Sequence, residues 1–151
     1  MSAAVASKGF DVLLVVHIVV AVAAFVVLCV LAAAGHDVRR GEPTSAAHRS
    51  FTGRPEVAGR VVHLVPLSGI ALLALSDGAF GFGTPFVVVG VVAWAVAAVC
   101  LEAIAFPAQH ETARALDHGG DPRGAAARMV GAVELAAVAI AVAAIVMATA
   151  S

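Results

Sequence analysis

Tyrosine is absent, charged residues make up only 13% of the 151, and Lys8 is the only lysine. Soluble domains carry about a quarter charged residues, so this chain has too few to dress a surface for water. Nine basic against ten acidic residues give a formal net charge of −1. No basic stripe exists to neutralise phosphates, which excludes nucleic acid as a partner. Two cysteines, Cys29 and Cys100, both lie in apolar runs. They supply no disulfide framework. Spaced ligand motifs such as H-x-x-x-H or C-x-x-C are missing, and no internal repeat is visible.

What is present is apolar. Hydrophobic residues make up 62% of the chain, mean hydropathy is +1.02, and alanine and valine dominate. Four segments reach the about 20 apolar residues that a bilayer core roughly 30 Å thick demands of a helix. They are Phe10–Ala34, Val57–Leu75, Pro85–Phe106 and Arg128–Thr149. Their runs are continuous rather than alternating, which excludes a transmembrane barrel and leaves helices. Lys8 before the first run and Ala32-Ala33-Ala34-Gly35 after it imitate a signal peptide. At about 25 residues the run exceeds the roughly 7–15 of a signal core, and it reads as a retained span.

Punctuation supports the boundaries. Gly35 follows the first span, and Ser76–Pro85 forms a compact turn with proline opening the third. Pro107 is expected to close that span, with Ala108–His118 continuing as a polar helix until Gly119-Gly120-Asp121-Pro122 breaks it. Arginine is asymmetric. Arg39, Arg40, Arg49 and Arg54 lie between spans one and two, and Arg114 and Arg123 between three and four, while the connection between two and three has none. The positive-inside rule places loops 35–56 and 107–127 in the cytoplasm and both termini outside. The expected fold is all-α, a single transmembrane domain (residues 1–151) built as a four-helix up-down-up-down bundle in the cytoplasmic membrane. Gly69, Gly90 and Gly131 are expected to let its backbones approach closely.

Polar groups inside spans are costly, so function is sought there. They are His17, Cys29, His63, Cys100, Glu102 and Glu134, with Arg60 and Arg128 near the inner boundary. At about 1.5 Å per residue, His17 lies roughly 10 Å below the outer end of its span. The others lie within roughly 9 Å of the inner side. His36, His48, His110 and His118 fall in loop segments and read as solvated, and Glu111 and Arg114 as a surface pair.

Three readings of the inner group stay open. In the structural one, Glu102, Glu134 and His63 pair with Arg60, Arg128 and one another. In the second, His17 or His63 holds a haem b or a transition metal, with Cys29, Cys100, Glu102 and Glu134 as further metal ligands. One haem bridging both histidines is awkward, because they differ by roughly 12 Å along the normal. The third is a proton or ion relay, for which the outer half offers only His17. A transporter would need several copies to line a pathway.

Four features resemble a known group. They are Val16-His17-Ile18 early in the first span, Pro66-Leu67-Ser68-Gly69 in the second, Trp94 in the third, and Phe106-Pro107 at its end before a polar helix. Together they resemble a family of small bacterial four-helix integral membrane proteins of unknown function, related to copper-resistance protein D and to HemJ-type membrane proteins. The resemblance implies haem, copper or porphyrin chemistry, with His17 as the residue that would matter most. From the residues themselves, the expectation is an accessory or small binding module without demonstrable catalysis. Its partners would be the lipid bilayer and other membrane proteins or further copies of the chain. The alternative is a haem- or metal-associated redox protein.

Overall fold

The computed structural model describes residues 8–41, 51 and 60–150. Helix α1 runs Lys8–Arg40. A 3-10 turn, Arg60–His63, leads into α2, Leu64–Ala74. Helix α3 covers Pro85–Val99, a π-helical turn Cys100–Ala105 follows, and α4 covers Phe106–His118. Helix α5 runs Arg123–Thr149. Among the described residues there is no strand.

Three helices are long and apolar enough to cross a membrane: Lys8–Arg40, the continuous Pro85–His118, and Arg123–Thr149. The fourth apolar helix, Arg60–Ala74, is shorter. Its 15 residues, at about 1.5 Å each, cover roughly 22 Å of a core about 30 Å thick. Residues 57–59 of the expected second span lie outside the described residues.

Helix α5 is the hub. It packs on α1, α3, the π turn and α4, while α2 and its leading turn lean on α1 and α3. Its contact face is small: Ala125, Ala126, Ala132, Ala136 and Ala143 are buried beside Met129, Val130 and Val133. Alanine lets backbones come close enough for dispersion to hold helices in an environment as apolar as they are. From α1, Ala24, Leu28, Leu31, Ala34 and Val38 meet this core in one stripe at helical spacing. The opposite face, with Val12, Val15, Val19, Val22, Val26 and Val30, is exposed. Lipid is the medium in which such a face costs nothing.

Gly35 does not end α1. The helix continues to Arg40 because Gly35 is buried against α5, where a Cβ would stand 2.5 Å from Val130 Cγ2 and 2.6 Å from Met129 Cε. The end comes at Gly41, whose φ of +79° suits glycine. Nor does Pro107 close the third helix. It offers no N–H to the carbonyl of Ala103 and its ring crowds that oxygen, and the backbone answers with the π turn just before it. Helix then resumes to His118 and stops at Gly119, φ +73°. Close approach involves Gly35, Gly69 and Gly90 but not Gly131, around which a Cβ would meet nothing within 4 Å among the described residues.

The Ser76–Thr84 connection matches its sequence pattern. Ser76 is buried, donates its hydroxyl to the Leu73 carbonyl at 2.7 Å and accepts the Phe80 N–H at 3.4 Å. Thr84 Oγ1 accepts the Gly81 N–H at 3.0 Å before Pro85 opens α3.

Candidate functional site

Two histidine–carboxylate pairs lie toward the arginine-rich end of the bundle. The first joins the turn before α2 to the π turn. His63 Nε2–H donates to Glu102 Oε1 at 2.9 Å, with 30% and 48% of the two side chains exposed. The π turn matters here, because an extra residue per turn resets which side chains face α2. Trp94, two turns earlier on α3, sets its indole nearly perpendicular to the His63 ring, centroids 6.3 Å apart. Its Nε1–H is buried without a partner among the described residues.

The second pair joins α1 to α5. His36 Nε2–H donates to Glu134 Oε1 at 2.8 Å, the side chains 38% and 53% exposed. His36 is therefore not a solvated loop residue; the continuation of α1 past Gly35 carries it onto α5. Arg128 pairs with Glu111 of α4. This displaces two expected pairings, Arg128 with an intramembrane glutamate and Glu111 with Arg114. The cause is packing: α4 lies along the first turns of α5, so the longer-range partner is nearer than the one on the same helix. Arg60 opens the turn that His63 closes and is exposed.

His17 is held apart from these. Its Nδ1 lies 2.8 Å from Ser68 Oγ, and Ser68 Oγ reaches the carbonyls of Val65 and Leu64 at 2.9 and 3.0 Å. The hydroxyl has one proton, and when it goes to a carbonyl the His17 N–H is the donor across the helices. Gly69 admits the ring: a Cβ there would sit 3.5 Å from His17 Cε1. His17 and His63 thus bracket about five residues of α2, roughly 7 Å along its axis. They do not face each other across a common plane.

Of the expected metal ligands, Cys29 is exposed on α1 and Cys100 is buried in the π turn. Among the described residues no three His, Cys, Asp or Glu side chains come together to hold a metal ion. Glu102 and Glu134 are each taken up by a histidine on another helix. Sequence reasoning missed His36 and Ser68 as partners. Periodicity gave no signal for His36; that for Ser68 was its place in the Pro66–Gly69 motif.

Chemically, an imidazole whose Nε2–H is fixed on a carboxylate presents Nδ1 as a lone pair in a defined direction. His36 and His63 each have Nε2 placed on a glutamate in this way. Comparison with protein families, curated proteins and solved structures finds no match.

Proposed function

We propose that the chain is a multi-pass protein of the cytoplasmic membrane and works as an accessory or small binding module. In this reading Arg60–Ala74 completes the fourth crossing, the bundle runs up-down-up-down, both termini are outside, and loops 35–56 and 107–127 are cytoplasmic. Opposed contacts support the topology: Gly35 meets Val130 while Gly41 meets Arg123, and Gly90 meets Met147 while Glu111 meets Arg128. The asymmetry of arginine supports the orientation.

One observation carries the binding role. His36 and Glu134 are locked to each other yet keep 38% and 53% of their side chains open, where the apolar run of α1 gives way to its charged end. Half-open ionisable groups at the edge of an apolar span are costly against lipid and call for a polar partner. Purification in mild detergent should recover a stoichiometric membrane partner or a second copy, lost on Glu134→Ala. A strictly monomeric, partner-free protein would overturn the reading.

A second reading is a haem- or metal-associated redox protein, in line with the resemblance to the copper-resistance and HemJ-type group. The His63–Glu102 geometry favours it, since a ligating imidazole commonly donates its other N–H to a carboxylate. The remaining ligands would come from outside the described residues. An absorption spectrum and metal analysis of the purified complex decide it: a Soret band or bound metal lost on His63→Ala supports it, and a colourless, metal-free complex rejects it.

A further inference from the structure

The arginine-rich end of the bundle holds a cleft built from chain-distant parts. It is lined by Val38 and Gly41 at the end of α1, Leu116 on α4, and Gly120–Arg123 leading into α5, and encloses about 390 Å³. Its walls are partly apolar: Val38 is buried and Leu116 half-buried. At its mouth the Arg123 guanidinium approaches Gly41, 2.7 Å from where a Cβ would stand. Arg39 and Arg40 form the last turn of α1 beside it. All three arginines are exposed, and none has an ion-pair partner among the described residues. Asp121, the acid in the lining, uses Oδ1 to accept the Arg123 backbone N–H at 3.0 Å.

Depth says what these arginines meet. The apolar part of α1 ends near Gly35, and Gly35 packs at the level of Met129 and Val130 on α5. Arg39 and Arg40 stand about 6–8 Å beyond that level, and Arg123 about 9–10 Å beyond it on α5. The headgroup layer occupies roughly 5–8 Å on each face of the hydrocarbon. Two independent helices thus deliver guanidiniums that have no ion-pair partner among the described residues, Arg39 and Arg40 within the headgroup layer and Arg123 at its outer edge, beside a partly apolar cleft. Guanidinium binds phosphate through paired N–H donors.

We propose that this cleft is a site for an anionic phospholipid, its phosphate on Arg39, Arg40 and Arg123 and its glycerol end against the half-buried Leu116. The site rests on the membrane reading above, which retention in carbonate-washed membranes tests separately.

The test is native mass spectrometry of the detergent-purified full chain with phosphatidylglycerol and phosphatidylcholine of identical acyl chains. Basic residues near an anionic surface are worth about fivefold each. Phosphatidylglycerol should therefore be retained well over tenfold better than phosphatidylcholine. The set Arg39→Ala, Arg40→Ala and Arg123→Ala should abolish the preference, the corresponding lysine set should keep most of it, and Lys8→Ala at the far end should change nothing. Equal retention of the two lipids overturns the proposal, as does undiminished preference in a folded alanine set. Complete displacement of the lipid by millimolar inorganic phosphate would mark a free-anion site instead and also overturn it.

Discussion

His63 Nε2 and Glu102 Oε1 meet at 2.9 Å where the helix carrying Glu102 widens into a π turn from Cys100 to Ala105. The pair ties the turn before α2 to the helix of Trp94, and it does so where α2 has few other contacts. Interhelical hydrogen bonds in membranes average about 0.6 kcal/mol and reach about 1.7. A double-mutant cycle of His63→Ala and Glu102→Gln, read by thermal unfolding in detergent, should give a coupling in that range. Additive effects would show that the pair contributes nothing.

Pro107→Ala should uncouple the same pair at a distance. With an N–H restored, residue 107 can bond the Ala103 carbonyl and the π turn loses its cause. Reverting to α-helix rotates Glu102 by about 100° relative to the core on one side. The His63–Glu102 coupling should vanish in this background, although neither residue has changed. A coupling unaffected by the substitution would locate the cause of the π turn elsewhere.

Glycines should rank by what faces them. Gly35→Ala drives a methyl into Val130 Cγ2, a β-branched side chain that strongly prefers one rotamer in a helix, and should cost about 1–3 kcal/mol. Gly90→Ala meets only the flexible end of Met147 and should cost less. Gly131→Ala meets open space and should be neutral, or gain up to about 1 kcal/mol from helix propensity. Unfolding midpoints in one detergent check the order; a reversed order between Gly35 and Gly131 would contradict this packing.

Much of the fold was legible in these residues because membrane helices are set by length and composition. The runs at Phe10–Ala34, Pro85–Phe106 and Arg128–Thr149 each mark a long apolar helix. Less legible were the places where tertiary contact overrode local punctuation. Gly35 reads as a stop and acts as a packing notch, and Pro107 reads as a stop and acts as the cause of a π turn. The site followed the same division. Glu102, Glu134 and His63 stood out as polar groups in apolar helices. Which of them pair depends on helix rotation, and periodicity could not fix that for His36 with Glu134 or Arg128 with Glu111.

The two cysteines give a direct check on that rotation. Cys29 is exposed on α1, whereas Cys100 is buried in the π turn. A small apolar maleimide should add once to the native protein in detergent, at Cys29, and twice after denaturation. Mass spectrometry reads the count, and native labelling of Cys100 would contradict the packing of the π turn on α5.

The hub position of α5 has a consequence for biogenesis. It is the last of these helices to be synthesised, yet α1, α3 and α4 all complete their buried faces against it. The earlier helices must wait in the membrane with the faces that α5 covers unmatched. Assembly is therefore a closing step rather than a gradual accretion, and loss of the final helix would remove the scaffold itself.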